Sequence, residues 1–313
     1  MKKQLIRLTL ALAIPCSSFA QYHWDLGGSL GASNYLGDIG GKQQTRRDFV
    51  ADLKFSQTHF AGDVFARYRF TPFISLKTSF AYGRLSGADA LSTNPGREGR
   101  NLSFRNDIFE LAATAEFCFF STQDVGHSFR YANSFKAYCF AGIGGFYNDP
   151  KANYNGEWIA LQPLMTEGVS YSKYQLAIPA GIGFYYTFNK VNRVGWELGW
   201  RTTFTDYIDD ISTVYADPSK LSPEAAKLAN RHNELPPSVS SELPSGNNYT
   251  AGCKRGDPTH NDSYIFSSFS YSYVIKGQST MGKNWNHLHP RYKDIVFNDK
   301  FGHWRKRKHR IFI

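Results

Sequence analysis

Residues 174–188 read YQLAIPAGIGFYYTF. Tyr174, Leu176, Ile178, Ala180, Ile182, Phe184, Tyr186 and Phe188 fall on every second position, with Gln175, Ala177, Pro179, Gly181, Gly183, Tyr185 and Thr187 between them. A period of two in an extended chain places one set on each face of a strand, here a continuous apolar face against a small or polar one. The stretch is long, has aromatics at both ends, and its pattern recurs along the chain. That combination predicts a transmembrane β-barrel, with lipid outside and a narrow, filled interior.

Working outward, the same alternation marks seven further strands. The first runs from Trp24 to Ala32, with Asp25, Gly27, Ser29 and Gly31 facing inward. Residues 60–70 put Phe60, Val64, Ala66, Tyr68 and Phe70 outside against Asp63, Arg67 and Arg69, with Phe65 breaking the inward polar set. Residues 74–83 follow after a short turn at Thr71-Pro72 and complete a hairpin. In the fourth strand Phe109, Leu111, Phe117 and Phe119 oppose Glu110, Thr114, Glu116 and Cys118. In the fifth, the larger set of Tyr138, Phe140 and Phe146 is assigned to lipid and Cys139 to the interior. Residues 194–203 and 265–274 complete an all-β, eight-stranded antiparallel barrel, an even count as bacterial outer-membrane barrels require. Short connections near 71–72 and 189–193, with a moderate one at 121–134, define the periplasmic side. Long loops at 35–59, 85–100, 148–172 and 206–262 define the outside.

The domain plan that follows is a signal peptide over 1–20, a barrel over 21–275 and a tail over 276–313. Lys2, Lys3 and Arg7 precede the apolar run from Leu8 to Pro15, and Ser18-Phe19-Ala20 offers small residues for cleavage before Gln21. Beyond this segment no apolar run of about 18 residues occurs, so the expected membrane element is the strand. With 25 Phe, 19 Tyr, 6 Trp and 27 Gly, the mean hydropathy is still −0.43, because averaging over alternating strands hides their apolar face.

Within the predicted lumen Arg67, Lys77 and Arg201 meet Asp25, Asp63, Glu110, Glu116 and Glu197. An eight-stranded barrel is only just wide enough for its own side chains, so these charges are expected to neutralise one another in a plug. Gly27-Gly28-Ser29-Leu30-Gly31 matches the G-x-S-x-G pattern of a nucleophile elbow, but it lies in an alternating strand with no helix behind it. Asp206, Asp209 and Asp210 suit either a calcium ion or turn capping at a strand end, and capping is preferred. His287, His289, His303 and His309 lack a supporting ligand set, so neither cofactor nor metal is expected.

The tail carries ten Lys or Arg against Asp294 and Asp299, a net +8 of the chain's +10. Aromatics are interleaved with the charges, as in segments that dock on a partner. Arg291, Trp304, Arg305, Lys306, Arg307, Lys308 and Arg310 are the candidate partner-binding residues. An exported compartment excludes nucleic acid, and a periplasmic protein is preferred over the anionic lipid surface because aromatics serve as interface anchors. Cys118, Cys139 and Cys253 remain after cleavage. Two states stay open: a Cys118–Cys139 disulfide across the hairpin, or one of these two thiols bonded to another chain.

The blocks SNYLGDIGG (33–41), FELAATAEFCFF (109–120), FAGIGGFYNDP (140–150), PLMTEGVSYSKYQLAIPAGIGF (163–184), ELGWRTTFTDYIDDISTVYAD (197–217) and NDSYIFSSFSYSY (261–273) resemble, in order, the PorG family of outer-membrane proteins. The resemblance implies a non-enzymatic barrel of the type IX secretion system, associated with the periplasmic ring of the PorK lipoprotein and a PorN-like partner. The alternatives are an outer-membrane enzyme, such as a lipid A hydrolase or barrel protease, and a small-barrel adhesin or channel. The enzyme would need a His with Ser or Asp at the outer rim of adjacent strands, and no such set is visible in the sequence.

Overall fold

The computed structural model describes residues 24–39, 55–123, 133–237, 248–275 and the pairs 297–298 and 304–305. Two compact units divide the chain, one of Tyr22–Lys276 and one of Met1–Gln21 with Gly277–Ile313.

In the larger unit eight long strands close on themselves: β1 (Trp24–Leu36), β2 (His59–Arg69), β3 (Ile74–Ala88), β4 (Ser103–Gln123), β5 (Ser134–Tyr147), β8 (Tyr174–Phe188), β9 (Asn192–Thr203) and β10 (Ser263–Ile275). The order β3-β2-β1-β10-β9-β8-β5-β4 is sealed by the β3–β4 pairing. Every neighbour pair is antiparallel, so no edge is left among the eight. A small hairpin of β6 (Lys151–Tyr154) and β7 (Glu157–Ala160) joins the rim through Arg105 and Lys151. Two short helices lie in the long loops, α1 (Pro95–Arg100), capped by the Asn94 side chain, and α2 (Pro223–Ala229), capped by Ser222.

The short turns are tight for local reasons. At one, Thr71 Oγ1 accepts the Phe73 and Ile74 amides at 3.2 and 3.0 Å. At another, Asn189 and Lys190 take left-handed φ of 51° and 66°, the twist that matches a strand hairpin.

Outward-facing residues form an apolar belt that includes Leu30, Val64, Leu111, Leu176 and Phe269, all well exposed. Aromatic pairs fringe it at both ends: Trp24–Tyr68 and Tyr68–Phe70 on the short-turn side, Tyr82–Phe109 and Tyr147–Tyr174 on the other. Along β8, Tyr174 and Tyr186 at the two ends span about 30 Å if the strand is tilted by about 40°, which matches a hydrocarbon layer. Among the described residues no helix is long and apolar enough to cross a membrane.

The fifth strand corrects the expectation from sequence. Tyr138, Phe140 and Phe146 point inward, while Ile143 is 73% exposed and Cys139 is exposed beside it. Pairing dictates this parity, since Glu110, which is buried, stands opposite Phe146. Inward glycines on the neighbouring strands make the room. A methyl group added at Gly183 would lie 2.6 Å from Tyr138 Oη, and one at Gly181 would lie 2.8 Å from the Phe140 ring. The larger residues therefore fill the lumen beside glycines rather than facing lipid. Cys118 is buried inside and Cys139 lies outside, with Cys118 opposite Tyr138 and Cys139 opposite Phe117 in register. Both thiols are free, and their opposite faces exclude the internal disulfide.

In the smaller unit Phe297–Asn298 pairs with Trp304–Arg305. Arg291, Lys306, Arg307, Lys308 and Arg310 lie outside the described residues, as do the signal peptide, Asp294 and the histidines at 287, 289, 303 and 309.

Candidate functional site

The lumen is filled from end to end with paired charges. Near the short-turn side Arg67 donates to Asp25 Oδ2 at 2.8 Å and to Glu116 at 2.9 Å, and Arg193 donates to the same Asp25 oxygen. The Arg67 guanidinium also lies over the Phe65, Tyr138 and Tyr185 rings, at 5.1 to 5.6 Å. Phe65, out of place in the sequence pattern, is thus an inward ring that flanks both Arg67 and Lys77. At mid-height Lys77 Nζ donates to both Glu197 oxygens, at 2.9 and 3.0 Å, and Tyr138 Oη donates to Glu197 at 2.9 Å. Higher up, Arg201 pairs with Glu110 at 3.3 Å beneath the Phe266 ring, and Tyr264 Oη donates to Glu110 at 2.6 Å. Every charge predicted for the plug is in it, and Arg193, assigned from sequence to a turn, is a further member.

Above Glu110 the long loops fold back over the barrel mouth. Ile208 and Ile211 are fully buried there, and Asn106 and Asn148 donate to the backbone carbonyls of Ile208 and Tyr207 at 2.8 and 2.9 Å. Tyr171 and Tyr207 stack at 4.6 Å. Asp209 Oδ1 accepts the Ile211 amide at 2.9 Å, which is turn capping as expected, but Oδ2 reaches a hub at Tyr35.

The Tyr35 hydroxyl lies 2.6 Å from Asp209 and 2.7 Å from Asp262, and accepts the Asp38 amide at 3.0 Å. One hydroxyl proton cannot serve two carboxylates, so one of the two acids keeps its own proton and donates it. Burial, reinforced by the neighbouring carboxylates, raises both: Asp209, with Asp38 beside it, to about 7, and Asp262, with Asp209 beside it, well above the usual range.

A second knot closes the same cap. Arg255 donates to Glu167 Oε1 at 2.9 Å and to the Asp210 carbonyl at 2.6 Å. Glu167 in turn accepts the Ser212 and Thr213 amides at 3.0 and 2.9 Å. Tyr171 Oη donates to Asp210 at 2.7 Å, and Thr166 donates to its other oxygen. Burial raises Asp210 to about 6, against the pull of Arg255. Arg100 forks onto Asp89 at 2.7 and 2.9 Å. The capping partners Tyr35, Thr166, Glu167, Tyr171 and Arg255 stand far from residues 206–210 in the chain, so reasoning on local spacing misses the network. Among the described residues no group of three or more His, Cys, Asp or Glu is arranged to hold a metal.

Gly27 to Gly31 lie wholly within β1, and Ser29 is buried there opposite Asp63, so no nucleophile elbow exists. The outer rim does bring a His and a Ser together, contrary to the sequence reading: His59 Nε2 lies 2.5 Å from Ser86 Oγ. The Ser86 hydroxyl also bonds Gln57 Oε1, so His59, Ser86 and Gln57 form one chain of hydrogen bonds at the rim.

A closed barrel with an apolar belt, two aromatic fringes, a salt-bridged lumen and a folded loop cap defines a small membrane-spanning β-barrel. The chain belongs to the family described as a domain of unknown function, DUF6089, whose pattern matches residues 2–222. No curated protein matches it. Among solved structures it is similar to the N-terminal β-barrel domain of Pseudomonas aeruginosa OprF, with 9% identity, 82% of this chain and 99% of that one covered, and a TM-score of 0.33. Ail, the attachment invasion locus protein of Yersinia pestis, gives 10% identity, 81% and 99% coverage and a TM-score of 0.32. Acinetobacter baumannii CarO2 gives 10%, 79% and 98%, and 0.23.

Proposed function

We propose that this protein is a non-enzymatic outer-membrane barrel that anchors, from the periplasmic side, the ring of the type IX protein secretion machinery. The observation that carries the anchoring role is the plugged lumen: Arg67, Lys77, Arg193 and Arg201 are each bonded to carboxylates inside the wall, which favours a structural barrel over an open pore. Membrane passage by strands, an apolar belt and long loops on one side support the outer membrane as its place.

The secretion role is supported by the PorG-like blocks, and the cap gives those blocks a common purpose. Tyr35 and Asp38 of SNYLGDIGG, Thr166 and Glu167 of TEG, and Asp209 and Asp210 of TDYIDD all bond within it. The PorK lipoprotein and a PorN-like protein are the proposed partners, and the basic, aromatic residues beyond Lys276 are the proposed contact. A second reading, a small-barrel adhesin, is favoured by the folded, polar outer cap.

Purification with and without crosslinking, followed by identification of the chains that copurify, tests this. Enrichment of PorK-like and PorN-like proteins with the full chain is expected. Their absence under crosslinking, with the barrel recovered alone, would contradict it.

A further inference from the structure

On the outer surface of the wall, towards the long loops, Tyr82, Phe109, Tyr147 and Tyr174 make one continuous fringe. Tyr82 meets Phe109, Phe109 stands opposite Tyr147 in register, and Tyr147 meets Tyr174. Alternation carries the same outward face past the fringe, to Arg84 on β3 and to Asp107 and Arg105 on β4, while the interleaved Leu85, Phe104, Asn106 and Ile108 are buried. Lys151 of β6 stands opposite Arg105, and Asp149 and Lys173 lie directly beyond Tyr147 and Tyr174. With strands tilted by about 40°, two to four residues beyond the fringe is a height of about 5 to 10 Å, the depth of lipid headgroups above an apolar belt.

Four cations here share two carboxylates. Asp107 lies 2.7 Å from Arg84 and 3.9 Å from Arg105; Asp149 lies 2.7 Å from Lys173 and 3.6 Å from Lys151. Each carboxylate therefore bonds one cation and only stands near the other, and the six side chains sum to +2. Among the described residues the heads of Arg105 and Lys151 make no hydrogen bond, and their side chains are 25% and 36% exposed. Arg105 is held in place without being neutralised, its guanidinium carbon lying 4.1 Å from the centre of the Trp158 ring. An accessible, fixed guanidinium beside an ammonium is complementary to a phosphate. Directly below it, the apolar belt is complementary to acyl chains.

We infer that this band binds a phosphorylated glycolipid of the lipid A class, its phosphate held by Arg105 and Lys151 and its acyl chains lying along the belt. The inference rests on the reading that places the long loops outside an outer membrane, in whose outer leaflet such a glycolipid lies.

Native mass spectrometry of the full chain in detergent, with lipid A, with lipid A stripped of its phosphates and with inorganic phosphate, tests the inference. Lipid A should bind, the stripped form about tenfold more weakly, and inorganic phosphate alone should leave no adduct. Arg105→Gln combined with Lys151→Gln should weaken lipid A binding about tenfold, whereas Lys190→Gln, which removes an exposed cation at a short turn, should leave it unchanged. The comparison of the two lipids uses the unaltered chain and so holds whatever the variants do to folding. Equal binding of the two lipids, adducts with inorganic phosphate alone, or equal losses in the double variant and in Lys190→Gln would each overturn the inference. Density-gradient fractionation of the cells locates the barrel independently. Failure to bind lipid A by a barrel found in the outer membrane refutes the inference alone, and a barrel found in another membrane refutes the reading beneath it.

Discussion

Glu197 accepts two bonds from Lys77 and one from Tyr138 in a lumen packed with side chains, and this local arrangement sets its energetics. A buried ion pair brings little net stability, but a lone buried charge is expensive. Lys77→Met should therefore destabilise the barrel by about 3 kcal/mol, because Glu197 and Asp63 lose their cation. Adding Glu197→Leu to the same chain should recover most of that loss. Urea unfolding of the refolded barrel in detergent checks both, and a double variant no more stable than the single one would contradict the pairing. The identities of the lumen charges were legible in the sequence from strand parity alone. Their pairing was not, since Lys77 and Glu197 stand on β3 and β9, on opposite sides of the barrel wall.

At the scale of elements, seven strands follow the alternation read from sequence, and β5 reverses it. The apolar period of two marks a strand but does not say which of two apolar faces meets lipid; on β5 the deciding information is space left by Gly181, Gly183 and Gly199 on other strands. A lipid-soluble maleimide should therefore label Cys139 in the folded barrel and spare Cys118, with mass spectrometry locating the adduct. Labelling of Cys118 in preference to Cys139 would restore the parity first expected.

The cap is the other element that sequence left unread. Asn94-Pro95 and Ser222-Pro223 carry the start signals of α1 and α2, but the carboxylates of 206–210 read singly as turn residues. The cap also predicts a pH dependence. Asp209 and Asp210 have folded values of about 7 and about 6, above the usual carboxylate range, so the folded cap holds protons that the unfolded chain releases. Their contribution to stability is present in acid and is lost as pH rises from about 4 through about 7. Hydrogen exchange at residues 205–213, corrected for the intrinsic rate, should show stronger protection at pH 5 than at pH 8. The opposite order would contradict the shared proton at Tyr35.

For the whole molecule, a salt-bridged lumen under a folded cap predicts a barrel that conducts no ions in a planar bilayer at moderate voltage. Steady open-channel current would contradict the filled interior. The net charge of the chain is concentrated in its last residues, in the ten Lys and Arg beyond residue 275. If those residues dock on an acidic periplasmic partner, the association should weaken as salt rises, since screening acts over about 8 Å at physiological ionic strength. The most direct test is removal of residues 276–313 in the cells that make the protein, with barrel abundance in the outer membrane, ring association and secretion measured together. The barrel should be present at normal level, with ring association and secretion both reduced; unchanged secretion and ring association at normal barrel level would rule out the anchoring role.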